Sequence, residues 1–189
     1  MTHTEDLKLF GFWIYLMTDL VLFAVLFATF LVLRHNTFGG PTAFELFHMG
    51  PVFAETMVLL TSSFTCSLAT LAIHRRQISW TALWFGLTFL FGIAFLILEA
   101  IEFSQLIAMN AGPKRSGFLS SFFALVGTHG FHIAIGLLWM LAALFRLWLR
   151  PLTHHAISQL MRLAYFWHFL DVVWIFIFSV VYGMGHLYG

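Results

Sequence analysis

The sequence predicts an all-α integral membrane bundle of five transmembrane helices. Of its 189 residues, 61% are hydrophobic, 19% aromatic and only 9% charged, where a soluble domain carries about 25% charged residues. With 24 Phe, 7 Trp and 4 Tyr, the chain has more apolar surface than a globule of this size can hide, so lipid must cover part of it. Five apolar stretches each reach the ~20 residues that cross ~30 Å of hydrocarbon. Runs such as LVLFAVLFATFLVL lack the alternation of a closed barrel. A net charge of +1 leaves no basic footprint for nucleic acid, and the single Cys66 leaves no intrachain disulfide, CxxC pair or thiolate cluster.

The first stretch, Leu9 to Leu33, is too long for a signal-peptide core and has no small-residue cleavage site before Arg34, so it is expected to be retained as a helix. Gly39-Gly40-Pro41 follows it, and Gly50-Pro51 opens the second stretch, Val52 to Ile73. The third, Trp80 to Met109, and the fourth, Phe118 to Phe145, flank Gly112-Pro113. Both are longer than a perpendicular helix needs, so they tilt or project past the membrane. Pro151 and the loop residues His154-His155 precede the fifth, Leu163 to Tyr182. Short connections leave no room for a soluble domain, which makes residues 1–189 one transmembrane domain. Lys8, Arg75, Arg76, Arg146, Arg150 and Arg162 fall on one side and Arg34, Lys114 and Arg115 on the other. The positive-inside rule then sets the N-terminus in the cytoplasm and the C-terminus in the periplasm, as an odd number of spans requires.

Trp80, Trp148 and Tyr182 suit interfacial aromatic belts. Ala24/Ala28, Ala82/Gly86 and Gly130/Ala134 read as small-residue pairs that let helices approach. The hydroxyls of Thr61, Ser62, Ser63, Thr65, Ser67 and Thr70 can bond back to their own helix, so they do not imply a pore.

The informative residues are the acids. Asp19, Glu55, Glu99, Glu102 and Asp171 all fall within proposed spans, where a carboxylate facing lipid costs about 2.5–3.5 kcal/mol on insertion scales. They must point inward. Glu99/Glu102, His129/His132 and His168/Asp171 are each spaced i,i+3 and so share a helix face. At ~1.5 Å per residue, His129, His132 and Asp171 lie near the mid-plane and Glu55 and Glu99 about 10 Å further out, giving a central and an outer polar layer. Three readings fit these layers. One is a metal site of the kind four-helix carboxylate proteins build, although those use Glu-x-x-His on one helix and this chain does not. A second is axial haem ligation by His129, His132 or His168. The third is an interhelical network that locks the bundle, with a proton path as its functional variant. Asp171 with His168 or His132 is the expected central pair, so Asp171→Leu should leave an imidazole unpaired and weaken assembly. No nucleotide loop, GxSxG elbow or HExxH motif is present. Inverted repeats and broken helices, the marks of a transporter, are also missing from the sequence.

The segments FGFWIYLMTD (Phe10 to Asp19), SGFLSSFFALVGTHGFHIAIG (Ser116 to Gly136) and FWHFLDVVWIFIFSVVY (Phe166 to Tyr182) closely resemble subunit III of haem-copper respiratory oxidases. The resemblance runs through essentially the whole chain and looks most like the quinol-oxidising branch, cytochrome o ubiquinol oxidase. The five spans match that branch, whereas the subunit of cytochrome c oxidases usually has seven. Asp19 stands where many of those carry a glutamate, which keeps the carboxyl but shortens its reach. The resemblance implies a subunit with no catalytic centre, cofactor or metal of its own, in a bacterial inner-membrane complex with subunits I, II and IV. Subunit I would hold haem b, haem o and copper, reduce oxygen to water and pump protons, with ubiquinol as substrate of the complex. His129, His132, His168 and Asp171 would then belong to a buried polar network. Glu55, Glu99 and Glu102 would line a cleft associated with bound phospholipid. Roles implied for such a subunit are stabilising the complex, sustaining proton uptake, holding lipid and guiding oxygen along Phe-lined grooves. Arg75, Arg76, Arg146, Arg150 and Arg162 are candidates for anionic headgroups on the cytoplasmic side.

Overall fold

The computed structural model describes residues 3–34, 36, 49–149 and 153–183. Gly39-Gly40-Pro41, Arg150, Pro151 and the side chain of His154 lie outside that description. The described residues form five helices and no strand: α1 (His3–Leu33), α2 (Met49–His74), α3 (Ile78–Ala108), α4 (Gly117–Leu149) and α5 (His154–Ile177), the last continued by a π-helical turn, Phe178–Gly183. Each of the five is long and apolar enough to span a membrane. Their N-terminal ends all start before the apolar stretches, because helical hydrogen bonding does not stop where hydrocarbon does, while α1 ends at the expected Leu33 and α3 at Ala108, one residue before Met109. The largest extension is at α5, which starts at His154 rather than Leu163. His154-His155 therefore open a helix instead of ending a loop, and the Thr153 hydroxyl caps it by accepting from the Ala156 amide at 3.3 Å.

Local chemistry fixes the turns. Arg76 ends α2 in the left-handed region (φ 54°), with its amide on the Ile73 carbonyl and that of Gln77 on the Ala72 carbonyl. Asn110 (φ 56°) and Ala111 close α3 in the same way onto Ile107 and Leu106. Both are Schellman closures, with Arg or Asn at the position glycine usually takes. Ser116 caps α4 through the Leu119 amide at 3.2 Å.

Helices α2, α3, α4 and α5 neighbour one another in a ring, and α1 packs outside it against α4 and α5. The ring interior is filled by large rings, with Phe85, Phe95, Phe122, Trp167, Trp174 and Tyr182 almost wholly buried. Hydroxyls on α2 accept the indole N–H groups of α5: Trp167 donates to Ser62 at 3.1 Å and Trp174 to Thr56 at 3.2 Å. The same hydroxyls donate to the carbonyls of Leu59 and Val52, so the back-bonding expected from sequence coexists with helix-to-helix bonds. Thr65 and Thr88 join α2 to α3 at 2.8 Å. Trp80 and Trp148 are exposed, as residues of an aromatic belt would be. Tyr182 is not: it is 1% exposed because the π-helical turn carries it into the ring.

Candidate functional site

The intramembrane acids gather at two levels. At the central level, α4 presents His132 toward α1, where its Nε2 stands 3.8 Å from Asp19 Oδ2. His132 Nδ1 lies 2.7 Å from the Thr128 carbonyl one turn back. A carbonyl only accepts, so Nδ1 carries a hydrogen and Nε2 of the neutral ring is a bare lone pair. Phe23 packs over this pair, its ring centroid 5.3 Å from that of His132.

On the other side of α5, His168 Nδ1 meets Ser63 Oγ of α2 at 3.0 Å, and Asp171 Oδ2 lies 3.6 Å from the same nitrogen. Of the two imidazoles expected beside Asp171, His168 is therefore the neighbour, and His132 faces Asp19 instead. Both oxygens of Asp171 lack a hydrogen-bond partner among the described residues. His129, one turn from His132 on α4, is 0% exposed, with neither ring nitrogen hydrogen-bonded among the described residues. Its ring is enclosed by Trp174 at 5.2 Å and by Phe95 edge-on at 5.9 Å. No three His, Cys, Asp or Glu side chains converge as a metal-ligand set among the described residues.

The second level lies toward the end of the bundle that holds the C-termini of α1, α3 and α5. It contains Glu55 from α2, Glu99 and Glu102 from α3, and Tyr182 from the π-helical turn. The Tyr182 hydroxyl donates to the Glu102 carboxyl, 3.1 Å from Oε2 and 3.3 Å from Oε1. Glu99 lies flat against α4 at Gly130, where a Cβ would stand 2.5 Å from both carboxyl oxygens. Gly130 is thus more than a small packing residue: its missing side chain is the space Glu99 occupies. Of the three acids that the resemblance sets on a cleft, Glu55 (1% exposed) and Glu99 are buried and Glu102 is half-buried. An open apolar channel of about 460 Å³ runs between α1 and α5, lined by Trp13, Phe23, Phe27, Phe169 and Phe176.

Of the arginines, Arg75 and Arg76 are exposed in the α2–α3 turn. Arg146 is half-buried and donates to the Gln159 side-chain carbonyl, and Arg162 donates to Ser158 at 2.7 Å. Sequence reasoning missed Ser63, Thr56, Trp174 and Tyr182 as members of the network. A hydroxyl or ring in a transmembrane run has no spacing that names its partner on another helix.

Comparison with known proteins bears on what such a bundle is for. The cytochrome c oxidase subunit III family model matches residues 2–186. A cytochrome bo(3) ubiquinol oxidase subunit 3 from Pseudomonas aeruginosa is 53% identical over 94% of this chain and 85% of its own length. The protein of the same name from Pseudomonas putida is 47% identical over 96% of this chain and 88% of its own. A cytochrome c oxidase subunit 3 from a Bacillus species reaches 47% over 94% of this chain and 86% of its own. Similarity this high, extending over nearly the full length of both partners and through all five helices, shows that the chain belongs to the cytochrome c oxidase subunit III family.

Proposed function

We propose that the chain is the non-catalytic subunit III of a proton-pumping terminal oxidase that oxidises ubiquinol and reduces oxygen to water. The observation that carries this is the end-to-end similarity to subunits named for ubiquinol oxidase. In this reading residues 1–189 act as one transmembrane domain in a bacterial inner membrane, N-terminus cytoplasmic and C-terminus periplasmic, as the arginine distribution favours. Haem b, haem o and copper reside in subunit I. This chain packs beside it with subunits II and IV and holds no redox centre.

Physical chemistry supports that division of labour. Polar groups are turned inward, so the outside is free to pack, and α1 buries the smallest share of its residues of any helix. Phe10, Trp13, Ile14, Val21, Val25 and Val32 on α1 are all exposed. Such a face suits a neighbouring subunit and the lipid between them. The α1–α5 groove suits acyl chains and oxygen, both of which partition into apolar space. A second reading, subunit III of a cytochrome c oxidase, is favoured by the Bacillus relative of that name.

Purification through a tag on this chain tests both. Co-isolation of a haem-bearing complex that oxidises ubiquinol supports the first reading, and one that oxidises cytochrome c but no quinol supports the second. A chain that never co-purifies with a haem protein, or that alone carries iron or copper in fixed ratio, refutes the assignment.

A further inference from the structure

We infer that the turn between α3 and α4 seats the headgroup of an anionic phospholipid, with Lys114 and Arg115 on the phosphate and Ile107 against the acyl chain. An open recess of about 570 Å³ marks the place, lined by Ile107, Asn110, Gly112, Pro113, Lys114 and Arg115. Its walls are fixed by hydrogen bonds. Asn110 closes α3 in the left-handed region (φ 56°), and its carbonyl accepts from Arg115 Nη1 at 3.0 Å. The Arg115 amide donates to the Gly112 carbonyl at 3.1 Å, and the Ser120 hydroxyl of α4 donates to the Pro113 carbonyl at 2.6 Å. A guanidinium carries its five donors in one plane, so pinning one of them restricts the direction of the rest. Part of the entropy that ordering an arginine around a ligand costs is thereby already spent in the turn.

The position of the charge is informative as well. Of the nine Lys and Arg in the chain, three fall at this end of the bundle, and two of the three are the adjacent Lys114 and Arg115. The positive-inside rule accounts for cations at the other end and leaves these two without a topological reason. Their chemistry selects a phosphate ester, which takes charge-assisted hydrogen bonds from an ammonium and a guanidinium together. The apolar wall selects a lipid. Ile107, within the recess, and Met109, two residues on, are 57% and 58% exposed at the end of α3. A soluble anion would engage the cations and leave that wall bare, whereas a phospholipid covers both. Helices α3 and α4 are each long and apolar enough to span a membrane, so the turn that joins them lies where hydrocarbon gives way to headgroups.

The test uses the assembly purified through a tag on this chain, stripped of lipid in a nonionic detergent. It is titrated with phosphatidylglycerol, phosphatidylcholine, glycerol 3-phosphate or inorganic phosphate, with bound lipid counted by native mass spectrometry and retention of this chain followed on heating. No particular electron donor is needed, so a failure here is distinct from a failure of the proposed function. Each Lys or Arg beside an anionic lipid strengthens binding about fivefold, so Lys114→Gln combined with Arg115→Gln should raise the half-saturating phosphatidylglycerol about 25-fold. Binding of phosphatidylcholine should not change, and Lys114→Arg should bind phosphatidylglycerol as the parent does. An unchanged half-saturation in the double variant overturns the assignment. So does displacement of phosphatidylglycerol by glycerol 3-phosphate or inorganic phosphate at equal concentration, which would make the recess a site for small anions. A loss of retention in the double variant that is the same with and without phosphatidylglycerol also overturns it, since the cations would then serve a neighbouring protein. Should the double variant fail to assemble, Lys114→Gln alone should shift the half-saturation about fivefold, and no shift gives the same refutation.

Discussion

Gly92 of α3 faces side chains of both α4 and α5, and replacing it with Ala tests the packing on which the ring depends. A Cβ there would stand 2.7 Å from Trp167 Cη2 of α5 and 2.8 Å from Leu137 Cδ2 of α4, about 0.8 Å short of the ~3.5 Å at which carbon atoms sit comfortably. Leu137 can turn aside. Trp167 cannot: it is wholly buried, its Nε1 is tied to Ser62, and its far edge already fills the space beside Gly136, where a Cβ would meet it at 3.2 Å. Overpacking of this kind costs about 1–3 kcal/mol, and Ala recovers about 0.5–1 kcal/mol over Gly in a helix. The net loss is therefore centred on about 1 kcal/mol, within a range of about 0–2.5, and 1 kcal/mol is roughly 5-fold in the folded-to-unfolded ratio. Gly86 on the same helix has nothing within 4 Å of its Cβ position, so Gly86→Ala should be neutral or stabilising. Thermal unfolding of the detergent-solubilised complex, followed by the loss of this chain on native electrophoresis, should lower the midpoint for Gly92→Ala and not for Gly86→Ala. Equal midpoints would refute the claim that Trp167 is immobile.

Gly130→Ala should likewise lower the midpoint by displacing the Glu99 carboxyl, and adding Glu99→Asp, one methylene shorter, should restore part of the loss in a double-mutant cycle. Ser63→Ala and Asp171→Leu each remove one of the two neighbours of His168 Nδ1 and leave Ser67 on Nε2, so on native electrophoresis the double variant should lose more retention than the sum of the singles. The structure thereby lowers the penalty expected for Asp171→Leu alone, because Ser63 remains bonded to the imidazole. Asn110→Gly should leave the midpoint unchanged, while Asn110→Val, forced into the left-handed region, should cost about 1–2 kcal/mol by the same unfolding assay.

Helix number was legible because hydrocarbon thickness sets a minimum length that charge, Gly and Pro then punctuate. The start of α5 was not, since its first turns, HHAISQLMR, are polar enough to read as a loop and only the Thr153 cap marks them. Burial of the acids was readable from cost alone: no carboxylate faces lipid without a penalty. Their pairing was only partly readable. The i,i+3 rule found His168 beside Asp171 because both lie on one helix, but it could not find Asp19 beside His132, a contact decided by how α1 lies on α4. Tyr182 was misread for a related reason. Its distance along the chain fits a belt position, but the π-helical turn rotates it inward, and no residue pattern announces that turn.

In lipid, apolar surface gives helices no reason to prefer each other over acyl chains, so association rests on close packing and polar contacts. By that measure the elements are unequally held. Helices α2 and α5 are joined by Ser62–Trp167, Thr56–Trp174 and Ser63–His168, and α2 and α3 by Thr65–Thr88. Between the side chains of α1 and the ring, Asp19 approaches His132 to 3.8 Å, with aromatic contacts such as Phe12–Trp139 and Phe30–Phe118 above and below. A helix so exposed is placed largely by shape, and a protein surface laid along its outer face would fix it far better than fluid lipid. Among the described residues, then, α1 is placed mainly by shape against α4 and α5, and its broad apolar exterior is the surface that a neighbouring subunit of the proposed complex would cover.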